Sequence, residues 1–188
     1  MPRGRLWFAL KVLLVSLALY PFGVLCHEVI GHGVVGLFFG GRINSVEILG
    51  FTVYPQVRWH GWMHRYGECD VTNVRSPAGE HWVSLGGALS TWLVSIAALA
   101  TMWLTRRKSA ILAALALWWM DMLTYTLPSW GLPRSILWGQ RTFSEPYEGA
   151  VGLGLPGWLF QSLVITTTAI LLAVWIRLVF GGSRNTPQ

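Results

Sequence analysis

The sequence predicts an all-α polytopic membrane protein with about four to five transmembrane helices, the first kinked or broken, and a small β-like membrane-associated insertion. Hydrophobic residues make up 53% of the 188 residues and charged residues 12%, whereas a soluble domain has about 25% charged residues. The mean hydropathy is +0.49. Lipid is therefore the expected surrounding of most of the chain, and the length favours one integral membrane domain over residues 1–188.

Four apolar runs define the expected helices, and they cover residues 6–39, 82–104, 110–127 and 158–180. As one α-helix the first run would be about 50 Å long, whereas the hydrocarbon core is roughly 30 Å thick. We therefore expect this helix to kink, tilt or break, with Pro21 as the expected place. The run continues into His27 and Glu28 instead of a small-residue cleavage site, which argues against a signal peptide.

The segment between the first two runs, residues 40–80, is polar, aromatic and rich in glycine. Within it, residues 45–59 contain many β-branched and aromatic side chains, a pattern that predicts short strands or a hairpin. This segment is the expected β-like insertion.

The basic residues indicate membrane orientation rather than nucleic-acid binding. The formal net charge is +6, but the Lys and Arg residues lie mostly at the ends of the apolar runs, as the positive-inside rule requires. If the first run crosses once, this pattern places both termini in the cytoplasm. The lipid bilayer is therefore an expected partner, and nucleic acid is not. The two cysteines, Cys26 and Cys69, lack paired metal spacing and are interpreted as structural.

Three ionisable residues, His27, Glu28 and His32, lie inside the first apolar run. At membrane depth such residues need a partner, a water-filled cavity or a metal. A zincin helix binds zinc through two histidines at i and i+4, with a glutamate acting on the bound water. Here the histidines are at i and i+5, which places them roughly 140° apart on a regular α-helix.

A local π-bulge would bring His27 and His32 back onto one face, and Gly31 and Gly33 supply backbone freedom for it. On this interpretation His27 and His32 are metal ligands and Glu28 is the catalytic residue. An alternative pairing uses Glu28 and His32, at i and i+4, as the ligands.

Asp121 is the candidate third metal ligand, because it is the acidic residue within the three later apolar runs. A buried carboxylate needs a cation or a donor beside it. The alternative is an aspartate that pairs with an arginine or a hydroxyl group.

Other polar residues have simpler interpretations. His60 and His64, near Cys69 and Asp70, are at i and i+4, but the polar loop around them favours a solvated surface over a second metal site. Glu80 and His81 lie at the mouth of a helix. Glu145 and Glu148 precede the last run and could reach a site from the loop, and we do not assign them to it.

The chain resembles the site-2 protease family of intramembrane zinc metalloproteases, especially its compact bacterial members. The resemblance depends on His27, Glu28 and His32, on the segment Ser84–Ser90, and on Asp121. The longer spacing is similar to the stretched His-Glu-x-x-Gly-His motif of the dipeptidyl-peptidase-type zincins. The chain departs from the family in this extra residue, in Met122 after the aspartate where glycine is usual, and in lacking the usual Pro and Asn of the second segment.

The resemblance implies one Zn²⁺ per chain, held by His27, His32 and Asp121, with Glu28 as general base. It implies a zinc metallopeptidase in a bacterial inner membrane that cleaves membrane-embedded or membrane-proximal polypeptides. An extended substrate would pair with the edge of the strand-like residues 45–59. Two alternatives remain open, which are a catalytically silent homologue acting as a membrane chaperone or regulator, and an ion- or proton-coupled transporter.

Overall fold

A computed structural model describes residues 3–61, 67–126 and 145–181. The first apolar run forms α1 (Arg3–Leu25), a π-helix (Cys26–Val34) and α2 (Val35–Phe38). A sheet follows, and then the helices of the second half of the chain. The strands are β1 (Arg42–Ile48), β2 (Phe51–Tyr54), β3 (Arg58–Trp59) and β4 (Gly67–Thr72), and the helices are α3 (Pro77–Thr105), α4 (Ala110–Leu115), a 3₁₀ turn (Ala116–Trp118), α5 (Trp119–Thr126), α6 (Glu145–Gly152) and α7 (Gly157–Phe180).

The predicted helical membrane-type fold is confirmed in its broad features. Within the described residues, three helices are long and apolar enough to cross a membrane, namely Arg3–Phe38, Pro77–Thr105 and Gly157–Phe180. The apolar helical segment Ala110–Thr126 is shorter. The chain therefore has the composition and helix lengths of a membrane protein, while the larger number of spans and the orientation of the termini stay predictions.

The first helix does not break at Pro21, which lies inside α1. A proline removes one backbone hydrogen bond, and transmembrane helices tolerate that loss. The departure from α-helical geometry occurs further along, at Cys26, where the nine-residue π-helix begins. A break at Pro21 is therefore wrong, whereas a kink or tilt there stays a prediction, and the change of helix type coincides with the His-Glu motif.

The insertion forms a four-stranded sheet in the order β3-β2-β1-β4, with antiparallel pairing throughout. Leu49 and Gly50 link β1 to β2 with φ of 51° and 81°, as a two-residue hairpin turn with two positive φ values requires. The predicted hairpin is confirmed. β4 lies against the π-helix and α2, because Gly33 contacts the Cys69 side chain and Gly36 contacts that of Val71.

α3 is the central helix of the bundle and crosses the π-helix at very short range. It begins earlier than the apolar run, because Ser76 caps it by accepting a hydrogen bond from the Gly79 N–H at 3.1 Å. Further along, Gly86 and Gly87 meet the backbone of Gly31 so closely that a Cβ atom on any of them would collide. Small residues permit such close helix crossings in membranes. This contact places α3 directly beside both motif histidines.

The third apolar run is helical, and its α-helical geometry is interrupted by the 3₁₀ turn between α4 and α5. The Ser95 hydroxyl donates to the Ala116 carbonyl at 2.5 Å, and the Trp175 indole N–H donates to the Ala113 carbonyl at 2.9 Å. Ser95 of α3 thus contacts the 3₁₀ turn itself, whereas Trp175 of α7 contacts α4 just before it. The turn is thereby fixed against α3, and α5 directs Asp121 towards the motif.

Candidate metal site

The π-helix brings His27 and His32 onto one face. In a π-helix the hydrogen bonds join residues i and i+5, so positions five apart lie about one turn above each other. The two imidazole centroids are 4.9 Å apart, with the rings at 68°. The predicted π-bulge is therefore confirmed, as a full π-helix over Cys26–Val34.

Glu145, in the first turn of α6, completes a cluster that could hold a metal ion. Its Oε2 lies 3.4 Å from His32 Nε2 and 3.7 Å from His27 Nε2. The three candidate ligand atoms all lie within 4.8 Å of one another. Glu145 was considered able to reach a site from the loop but was not assigned to it, because no local spacing relates it to the motif.

Each imidazole is oriented by a hydrogen bond at its other nitrogen. His32 Nδ1 lies 2.7 Å from the Val83 carbonyl oxygen, and His27 Nδ1 lies 2.6 Å from Asp121 Oδ2. Carbonyl and carboxylate oxygens accept, so both Nδ1 atoms carry a proton, and both Nε2 atoms face Glu145. Metal-binding histidines in proteins commonly have such outer partners.

Asp121 contacts the site at the opposite side of the His27 ring from Glu145. Its Oδ2 also accepts a hydrogen bond from the Thr91 hydroxyl at 2.8 Å. The three clustered ligand atoms do not include Asp121. Its role as a direct ligand stays a prediction, and the geometry gives its carboxylate the role of orienting His27. This hydrogen bond also agrees with the alternative interpretation of Asp121, in which the aspartate pairs with a hydroxyl group.

The two distances from Glu145 Oε2 to the histidine nitrogens are compatible with a tetrahedral metal site. Zinc–nitrogen and zinc–oxygen bonds of about 2.0–2.1 Å in a tetrahedron place neighbouring ligand atoms roughly 3.4 Å apart, close to the observed 3.4 and 3.7 Å. His27 Nε2 is buried and has no hydrogen-bond partner among the described residues. A Cβ atom on Gly87 would meet both Nε2 atoms, so this glycine keeps the space beside them open.

The two histidines of the cluster are buried, whereas the Glu145 side chain is partly exposed to solvent. His27 and His32 are 4% and 7% exposed, whereas the Glu145 side chain is 40% exposed. Burial raises the pKa of Glu145, but the nearby imidazoles of His27 and His32 outweigh this effect and hold that pKa below its ordinary value. The carboxylate is therefore ionised and available as a ligand, and a further ligand could enter from this side.

Glu28 lies beside the cluster without being part of it. It is 5% exposed, and its carboxylate packs against Gly67 at the start of β4 so closely that a Cβ there would collide with Oε1. Tyr125 stacks on the far face of the site, with its ring centroid 5.1 Å from that of His27. A buried carboxylate next to two imidazoles is suited to proton transfer.

The remaining candidates have other surroundings. The Thr52 hydroxyl lies 2.7 Å from His60 Nε2 on the sheet, and His64 is outside the described residues. Glu148 is exposed, and the His81 ring packs against Gly152. Burial raises the pKa of the Cys69 thiol to about 11, and the charges of Glu28 and Asp70 add to this.

The fold and the site define a helical membrane-type protein with a possible metal-binding cluster of His27, His32 and Glu145. Comparison with protein-family models, with curated proteins and with solved structures finds no match to this chain.

Proposed function

We propose that the chain is an intramembrane zinc metallopeptidase, similar to the site-2 proteases, that hydrolyses peptide bonds of membrane-embedded or membrane-proximal polypeptides. The observation that carries this proposal is the convergence of two imidazole Nε2 atoms and one carboxylate oxygen next to a second, buried carboxylate, Glu28. Three protein ligands and one open side are the arrangement of catalytic zinc sites, whereas structural sites have four protein ligands.

In the proposal, His27, His32 and Glu145 hold one Zn²⁺, and Asp121 with Thr91 orients His27. The sequence assigned the third ligand to Asp121, and we transfer that role to Glu145 because its Oε2 lies beside both Nε2 atoms. Asp121 binds the protonated Nδ1 instead, and thereby strengthens His27 as a ligand.

Zinc bound here would lower the pKa of a water molecule and polarise a substrate carbonyl. Glu28 accepts the proton that this water loses and later delivers it to the leaving amine. The Glu28 carboxylate is 5% exposed, so bulk water does not compete with it for the proton. Gly67 borders Glu28 on the β4 side, and its missing side chain leaves room for the carboxylate.

The sheet supports a polypeptide as the substrate. β4 begins at Gly67, beside Glu28, and among the described strands it pairs with β1 along one edge. Its other edge offers backbone donors and acceptors to an extended chain, as in strand addition. The sequence placed this role in residues 45–59, and the contact of β4 with Glu28 favours β4 as the nearer edge.

Metal content tests the first half of the proposal. Mass spectrometry of detergent-purified protein is expected to find about one zinc per chain in the wild type and little in His27→Ala, His32→Ala or Glu145→Ala. Glu148→Ala, in the same turn of α6 but exposed, is the matched control and should retain zinc. A wild-type protein without zinc, purified without chelators, would refute the proposal.

Cleavage tests the second half. A membrane-inserted peptide library should be cleaved by the wild type, and Glu28→Gln should retain zinc while losing about 10²–10⁴-fold in rate. Glu80→Gln, at the exposed start of α3, is the control. Zinc binding without any cleavage would favour the silent homologue, and electrogenic flux in vesicles would favour the transporter.

A further inference from the structure

α6 presents one face to α3, and that face carries the third candidate ligand. Glu145, Gly149 and Gly152 are at i, i+4 and i+7 and therefore share a side of the helix. Glu145 points from this side to the two imidazoles. The two glycines point to the first turns of α3.

Both glycines are in close contact with α3. A Cβ atom on Gly149 would lie 2.5 Å from the His81 carbonyl oxygen and 2.8 Å from the Leu85 backbone nitrogen. A Cβ atom on Gly152 would collide with the His81 imidazole ring. The contact at Gly149 involves the backbone of α3, which cannot move aside as a flexible side chain would. α6 is therefore seated as close to α3 as the two backbones permit.

The distance between α6 and α3 determines how close the Glu145 carboxylate comes to the two imidazoles. Metal–ligand bonds in proteins tolerate deviations of only about 0.2 Å, whereas an added methyl group at either glycine would displace α6 outwards by more than that. α3 also carries Val83, which orients His32, and Gly87, which lies beneath both Nε2 atoms. A shift of α6 relative to α3 is thus a shift of the third ligand relative to the other two.

We infer that Gly149 and Gly152 are positioning residues for the metal site, which set the distance between Glu145 and the two imidazoles through their contacts with His81 and Leu85. This inference depends on the proposed function, because it takes the cluster to be a zinc site. It adds that the affinity for zinc depends on residues that do not touch the ion.

The test measures zinc affinity of the detergent-purified full-length chain by competition with a chromophoric chelator. Gly149→Ala and Gly152→Ala should each bind zinc about 10- to 100-fold more weakly, the range found for residues that orient ligands. Val151→Ala, on the exposed side of α6, is the matched control and should bind as the wild type does. Wild-type affinity in both glycine variants would overturn the inference.

Two further variants separate positioning from a general packing defect. In the Glu145→Gln background the glycine substitutions should cause no additional loss, since no third ligand remains to be misplaced. In Gly152→Ala, removal of the His81 ring by His81→Ala should restore most of the affinity. An additional loss in the Glu145→Gln background, or no rescue by His81→Ala, would contradict the inference. A wild-type chain that binds no zinc would instead refute the proposed function.

Discussion

His27 Nδ1 lies 2.6 Å from Asp121 Oδ2, although the two residues are 94 positions apart in the chain. The contact joins the π-helix to α5, and Thr91 of α3 donates to the same carboxylate oxygen. Three separate elements therefore fix one imidazole ring. Such carboxylate–histidine pairs raise the basicity of the imidazole and hold it in the orientation that a metal requires.

The first prediction concerns Asp121→Asn. An amide retains the shape but not the charge, so zinc affinity should fall about 10- to 100-fold without being lost. His32→Ala should cause the larger loss, because it removes a ligand. Chelator competition measures both, with Asp70→Asn on the sheet as control. A loss in Asp121→Asn as complete as that in His32→Ala would restore Asp121 to the role of a direct ligand.

The second prediction concerns Gly87→Ala. The added methyl group would meet both Nε2 atoms, and the two rings cannot turn away because Asp121 and Val83 hold them. Zinc content should fall to near zero. Alanine is more favourable than glycine in a helix by about 1 kcal/mol. The substitution should therefore not lower the thermal unfolding temperature by weakening the helix.

Gly4→Ala is the control for this substitution, since a Cβ atom there meets nothing within 4 Å. If Gly87→Ala retained the zinc content of the wild type, the metal could not lie where the three ligand atoms converge.

The third prediction concerns the pH dependence of Cys69 alkylation in a Cys26→Ala background. Because burial raises the pKa of Cys69 to about 11, the reactive thiolate is scarce at pH 8. Alkylation should be on the order of 100-fold slower than for an ordinary thiol, and it should rise about tenfold per pH unit up to that pKa. Mass spectrometry follows the modification. A rate that levels off near pH 9 would contradict the folded environment of β4, and the denatured chain serves as control.

The fourth prediction concerns the start of α3. Ser76→Ala removes the acceptor for the Gly79 N–H and should lower the free energy of unfolding by about 1 kcal/mol. Ser84→Ala is the control, because the Ser84 hydroxyl donates only to a carbonyl within the helix. Equal unfolding temperatures for the two variants would show that the cap contributes nothing.

Local features of the sequence predicted much of the fold. The apolar runs identified the long helices, and two histidines five positions apart in one apolar helix required the π-helix that the structure contains. α3 begins at Pro77, before the apolar run at residue 82, because its first residues are small or polar. Ser76 and Pro77 form a cap-and-proline start signal that marks this beginning.

Long-range features escaped prediction. Glu145 reaches the histidines only because α6 packs on α3. The spacing of residues along the sequence does not predict that contact. The residues of α6 were expected to belong to a polar loop rich in glycine and proline, and glycine does lower helix propensity. Those same glycines allow the close approach to α3. The glycines that disfavour a helix by propensity are thus the residues that the packing of α6 on α3 requires.

The π-helix has a consequence for how the motif tolerates changes in length. An extra residue in an α-helix rotates everything after it by about 100°, which would turn α2 away from Val71 and the sheet. When a wider turn accommodates the insertion, the flanking helices retain their original faces. α1 can therefore continue to pack on α4, and α2 on the sheet, whether the motif has five residues or six. A one-residue insertion between the histidines thus remains a local event, confined to Cys26–Val34.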